Sequence, residues 1–120
     1  MKILIVDDSK AMRMIVSRAL READLGGDII EASNGPDALR LLQSNTPDLI
    51  LSDWNMPEMS GLQLLEEIKG RGIEVKFGFV TSESTPAMRT RAKDAGALVL
   101  ISKPFTSETF AEQLGAVLAS

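Results

Sequence analysis

Residues 47–61 read PDLILSDWNMPEMSG. The apolar run Leu49-Ile50-Leu51 stops short of an acid, Asp53, and a Trp, two Met, a Pro and a Gly follow in what reads as a turn. A strand that alternates apolar and polar residues has one wet face, whereas an unbroken apolar run is covered on both. This run is therefore predicted to be a strand inside a parallel sheet, with Asp53 emerging at the sheet's carboxyl end.

Similar runs recur at 3–6 (ILIV), 29–30 (II), 75–80 (VKFGFV) and 98–101 (LVLI), which makes five strands. Between them apolar residues return at helical spacing, most clearly at Met12, Ile15, Val16, Ala19, Leu20 and Ala23. Further helices are predicted at 35–44, 61–70, 86–95 and 107–118. Start signals agree: Ser60 with Gln63 forms a capping box, Thr85 precedes Pro86 at a first helical position, and Thr106 caps the last helix. Strand then helix, five times over, predicts an α/β fold with a doubly wound parallel sheet, because crossovers between parallel strands are right-handed. The second strand, DIIEA at 28–32, is the least apolar and is assigned to an edge. Such sheets place their sites outside the carboxyl ends of the strands, at the switch point.

At 120 residues the chain fits one domain, 1–120, large enough to bury a core without staples. It has no Cys, hence no disulfide or thiolate chemistry, and no His, hence no imidazole catalysis, His-ligated zinc or phosphohistidine of its own. Carboxylates, hydroxyls, amines and a hard metal remain. The opening MKILIVDD has too short an apolar run for a signal peptide, and no other run approaches membrane-spanning length, so a cytoplasmic protein without membrane insertion is predicted. A formal charge of −4 argues against nucleic acid as a partner. Arg13, Arg18 and Arg21 on the first helix, and Arg89, Arg91 and Lys93 on the fourth, read as solvated faces.

Asp7 and Asp8 follow the first strand, Asp53 the third, Thr81 and Ser82 the fourth, and Lys103 the fifth. Singly, each has a plain structural role: Asp7, Asp8 or Ser9 as a helix cap, Asp53 as a turn opener, Thr81 as a strand end, Lys103 as a surface lysine. Together they conflict, because two carboxylates about 4 Å apart repel by roughly 4 kcal/mol at an effective dielectric near 20. Lys103 supplies one compensating charge, and a hard divalent ion such as Mg²⁺ is the natural second. A carboxylate nucleophile, a divalent cation, a hydroxyl and an ammonium form a set suited to phosphoryl transfer.

The stretches ILIVDDS (3–9), PDLILSDWNMPEMSG (47–61), FVTSES (79–84) and SKPF (102–105) resemble the receiver domain of two-component response regulators, especially the single-domain CheY-like chemotaxis type. The resemblance implies a flavodoxin-like sheet of order 2-1-3-4-5 with five helices. It implies that Asp53 is the phosphoacceptor, supplied by a histidine kinase or phosphotransfer protein. Mg²⁺, or Mn²⁺ in its place, would be held by the side chains of Asp8 and Asp53, by the Asn55 backbone carbonyl, and by Asp7 through water. Thr81 and Lys103 would contact the phosphoryl oxygens, a cis peptide would precede Pro104, and Asn55 and Glu83 would govern water's approach. Such a protein is no enzyme toward other molecules, assisting only its own phosphorylation and dephosphorylation. It would act as a monomer on a downstream protein such as a flagellar motor switch component, through the helix at 86–95, the fifth strand and the last helix, with a phosphatase as a further partner.

Two features depart from the family's pattern. An aromatic residue usually stands three positions before the lysine, where this chain has Leu100, and there is no Tyr at all. Leu100 therefore implies a smaller conformational swing. The helix at 86–95 offers only Ala87, Met88, Ala92 and Ala95 as a thin apolar stripe. Met56 and Met59 are expected to pack under the loop after Asp53, and Trp54 either to join a partner surface or to shield the rim of the site. An aspartate-nucleophile phosphatase would carry D-x-D where DWN stands, and a flavodoxin-like cofactor binder would carry a neutral Gly/Ser/Thr-rich loop in place of DDSKAM. A phosphate shuttle or sink, a receiver cut from a larger regulator, and a phosphorylation-independent scaffold remain as alternatives.

Overall fold

The computed structural model describes residues 1–118. Strand and helix alternate as β1 (Lys2–Val6), α1 (Lys10–Glu22), β2 (Asp28–Ala32), α2 (Gly35–Leu41), β3 (Leu49–Ser52), α3 (Gly61–Gly70), β4 (Lys76–Thr81), α4 (Pro86–Ala95), β5 (Val99–Ser102) and α5 (Ser107–Leu118). All strand pairings are parallel and the order is β2-β1-β3-β4-β5, as the resemblance implies, with β2 on an edge.

Successive side chains of a strand point to opposite faces, so each apolar run feeds two cores. Leu4, Val6, Ile50, Phe77, Phe79 and Leu100 pack with Leu62, Leu64, Leu65 and Ile68 of α3 on one face. Ile3, Ile5, Leu49, Leu51, Val80 and Ile101 pack with Val16 and Leu20 of α1 and Phe110 and Leu114 of α5 on the other. Burying a side chain of this size contributes about 1.5–3 kcal/mol, and this two-sided demand is why β1 and β3 show no alternation. The register aligns Val6 with Ser52 and Thr81 with Ser102, so Asp7, Asp53 and Lys103 all emerge just past the carboxyl edge.

The predicted caps form: Ser60 and Gln63 make the reciprocal capping box, Thr85 accepts from the Met88 N–H, and Thr106 accepts from the Thr109 N–H. Some expectations are corrected. α2 stops at Leu41 because Gln43 and Ser44 close tighter turns onto Arg40 and Leu41, and the Asn45 side chain takes the Leu41 carbonyl at 2.9 Å. β5 begins at Val99, leaving Leu98 exposed. On α1, Ile15 is 51% exposed while Ser17 is buried, because the sheet-facing arc runs around the helix from Ala19 through Val16 and Leu20 to Ser17 and Ile15 falls beyond its Ala19 end. α4 is as thinly anchored as its stripe suggested, with Ala92 its one buried residue and Ala87 exposed.

Candidate functional site

The acids are placed by backbone bonds that extend the sheet. The Asp53 N–H donates to the Val6 carbonyl at 2.9 Å, and the Asp7 N–H to the Ala32 carbonyl at 3.2 Å. Asp7 is buried, its Oδ1 accepting from the Ser9 N–H at 2.9 Å, while Asp8 is exposed. Ser9, not either acid, caps α1. The Asp53 Oδ1 accepts from the Trp54 N–H at 2.8 Å. Carboxylate oxygens of Asp7, Asp8 and Asp53 lie within 4.8 Å of one another.

Lys103 enters from β5, its N–H bonded to the Thr81 carbonyl at 2.8 Å and its peptide to Pro104 in the cis form. Its ammonium stands 3.6 Å from Asp7 Oδ2 and 3.9 Å from Asp53 Oδ2, dividing one positive charge between two acids. Three carboxylates against one ammonium leave the pocket two charges negative. Burial pushes the Asp53 carboxyl above its ordinary pKa, opposed by Lys103; the Asp7 charge adds to the rise, and the N–H groups of Trp54 and Asn55 oppose it. Three convergent oxygen donors with uncompensated charge are the donor chemistry that a hard divalent cation requires.

Thr81 is fully buried, and its Oγ1 accepts from the Glu83 N–H at 3.3 Å. Asn55 is exposed in the loop after Asp53, which the Gly61 N–H closes by bonding the Trp54 carbonyl at 2.8 Å. Any β-carbon on Gly61 would strike the Asp53 carbonyl, so the phosphoacceptor candidate and the start of α3 approach as closely as backbone allows. Met56 and Met59 pack against the core under this loop, as expected.

Trp54 is only 8% exposed, which sets aside its role in an open partner surface. Its ring packs on Phe79 at 4.7 Å, and the Arg91 guanidinium of α4 covers it at 5.9 Å. Leu100 is buried in the same cluster. Two polar arrangements escaped the sequence reading. Ser102 Oγ donates to Ser84 Oγ at 2.7 Å and accepts from Arg89 at 3.2 Å, while Arg89 also donates to the Leu100 carbonyl at 3.4 Å. Arg13, assigned above to a solvated face, is 14% exposed and bonds the Asp7 carbonyl and Glu31. No local signal marked it, because both partners lie outside its helix.

A doubly wound sheet with acids beyond β1 and β3 and a lysine beyond β5 defines an acidic-pocket receiver, and the chain belongs to that family: the pattern of the response regulator receiver domain matches residues 3–115. The chain is 37% identical over 123 residues to chemotaxis protein CheY1 of Helicobacter pylori strain 26695, covering 100% of this chain and 98% of that protein. It is 38% identical over 124 residues to the chemotaxis protein CheY homolog of Campylobacter jejuni, covering 100% and 94%. Among solved structures, chemotaxis protein CheY4 of Vibrio cholerae superposes with a TM-score of 0.86 at 33% identity, covering 97% of each chain. Among the described residues no helix is long and apolar enough to cross a membrane.

Proposed function

We propose that the chain is a phosphorylation-controlled switch of a two-component pathway, in chemotaxis, whose output is its own altered surface. The observation that carries this reading is the Lys103 ammonium 3.6 and 3.9 Å from Asp7 and Asp53, at the point where the acids converge. A nucleophilic carboxylate, a fixed ammonium and two further acids suit phosphoryl transfer, which needs positioning and charge neutralisation above all.

In this reading an Asp53 oxygen attacks the phosphorus of a phosphohistidine on a histidine kinase or phosphotransfer protein. The P–N bond breaks, its electron pair returns to the imidazole, and an acyl phosphate forms on Asp53. The side chains of Asp8 and Asp53, the Asn55 carbonyl and, through water, Asp7 would hold Mg²⁺ or Mn²⁺, which would supply positive charge beside the oxygens of the transferring group. Lys103 and Thr81 contact those oxygens. The Thr81 hydroxyl accepts from the Glu83 N–H and keeps its own proton to donate, so a shift of Thr81 toward the phosphoryl group carries the loop before α4 with it. A new bond to a charged group contributes about 1.5–3 kcal/mol, short of the roughly 5.5 kcal/mol that a swing from 1:99 to 99:1 requires. With Leu100 in place of an aromatic, the expected affinity change for the partner is about 10- to 100-fold.

The partner is a protein such as a flagellar motor switch component, docking on α4, β5 and α5, and a phosphatase is the second partner. The chain acts as a cytoplasmic monomer and turns over no external substrate. Both curated relatives being chemotaxis proteins supports the pathway. Intact mass after incubation with Mg²⁺ and acetyl phosphate is the test. The native chain should gain one phosphoryl group, and neither Asp53→Asn nor a chelated sample should. A native chain that gains none refutes the chemistry, and equal partner affinity before and after phosphorylation refutes the switch.

A further inference from the structure

The structure assigns to Arg13 a positioning role: its guanidinium holds the loop of Asp7 and Asp8 in the conformation that binds the cation. The inference rests on the cation-binding reading above and goes beyond it to a residue that has no place among the ligands. Left alone, this loop has reason to open, because its two acids face Asp53 with only one ammonium between them. The bonds holding it are unequal. The Asp7 N–H reaches Ala32 at 3.2 Å and Lys103 stands 3.6 Å off, whereas Arg13 Nη1 donates to the Asp7 carbonyl at 2.7 Å. This is a short charge-assisted bond from a side chain that is 14% exposed.

Arg13 is itself fixed from β2, where Glu31 Oε1 accepts from its Nε at 2.9 Å. Glu31 also answers a physical objection, since a bare guanidinium beside a dication site would repel the cation. Paired with Glu31, the side chain offers a donor with its charge largely neutralised. The contacts thus run from β2 through α1 to the loop that follows β1, crossing the sheet's carboxyl edge. Residues that orient metal ligands in this way typically cost about 10- to 100-fold in metal affinity when removed.

The sign of the effect separates the explanations. If Arg13 acted through charge alone, its removal would tighten binding of a dication; if it were only a packing residue, affinity would not change; if it positions the loop, affinity falls. Calorimetric titration of the full chain with Mg²⁺ decides. Arg13→Met, which keeps the aliphatic volume, should weaken binding about 10-fold or more. Arg13→Lys keeps a donor but loses the fork and should fall between the native chain and Arg13→Met; if the Met variant does not fold, Arg13→Lys serves alone, and native or tighter affinity in it overturns the proposal. Affinity in Arg13→Met equal to or tighter than the native value overturns the proposal, as does a Lys variant outside that interval. A native chain that binds no Mg²⁺ overturns the cation reading itself, an outcome distinct from native binding with an unaltered variant.

Discussion

Replacing Asp53 by Asn tests the electrostatics of the pocket without reference to phosphate. The side chain keeps its shape, and its Oδ1 still accepts from the Trp54 N–H; what disappears is one negative charge. Carboxylate oxygens of the three acids lie within 4.8 Å of one another, so each of the two repulsions on Asp53 is about 3.5 kcal/mol at an effective dielectric near 20. Lys103, at 3.9 Å, offsets about 4 kcal/mol by the same rule. The balance on Asp53 is unfavourable by about 3 kcal/mol before water around the exposed Asp8 screens it. Asp53→Asn is therefore expected to stabilise the chelated chain by about 1–2 kcal/mol, a rise in Tm of about 3–10 °C for a domain of this length. Calorimetric melting in EDTA measures it. If the proposed cation site is right, added Mg²⁺ should reverse the ranking, because a ligand at a hundred times its dissociation constant stabilises the native chain by about 2.7 kcal/mol, and the variant lacks one of the proposed ligands. A variant that melts below the native chain in EDTA refutes the reasoning.

The same site has a pH signature. Because burial and Asp7 raise the Asp53 pKa, the folded chain holds that proton more tightly than the unfolded one. Relative to Asp53→Asn, the chelated native chain therefore loses stability as pH rises from the ordinary carboxylate range through the raised value; a Tm gap that fails to widen over that window contradicts the assignment. Gly61→Ala drives a methyl into the Asp53 carbonyl and to within 2.9 Å of the Phe79 ring. It should cost about 1–3 kcal/mol in chemical denaturation and slow phosphorylation, and native behaviour would mean the loop has slack. Ser102→Ala removes the bonds to Ser84 and Arg89. About 0.5–1.5 kcal/mol should be lost, with faster amide exchange at residues 82–85, and unchanged exchange would show that these bonds do not restrain the loop.

The elements that sequence reading places well are those whose signals are local. Unbroken apolar runs mark β1 and β3, and cap chemistry marks α3 at Ser60 and α4 at Thr85. The acids and Lys103 were legible because each follows directly on a strand, so a parallel sheet alone brings them to one edge. Errors cluster where a distant partner decides. Arg13 looks like any surface arginine until Glu31 on β2 and the Asp7 carbonyl claim it. Trp54 could be read as exposed or as shielding until Phe79 packs on it and Arg91 approaches its ring. Ile15 carries an apolar side chain on a helix whose sheet-facing arc passes it by, and α2 ends early because the side chain of Asn45 intercepts its last carbonyl. Ser84 and Ser102 are eighteen residues apart, and neither residue type advertises the other.

α4 is tied to the core chiefly through Ala92, with Met88 and Ala95 half-buried beside it. Most of its surface is thus released from the folding problem, since exposed positions away from bonded contacts change stability by about 0.5 kcal/mol or less. Duplicated copies of such a chain can drift in the vocabulary of this helix's outer face, while the acidic pocket that its Arg91 approaches through Trp54 stays under the stricter grammar of its charges. A scan of α4 substitutions other than proline and glycine, scored for foldedness, should therefore be nearly flat except at Ala92 and its two neighbours in the stripe and at Arg89 and Arg91, which bond β5 and cover Trp54, a freedom that the buried turns of α3 do not share.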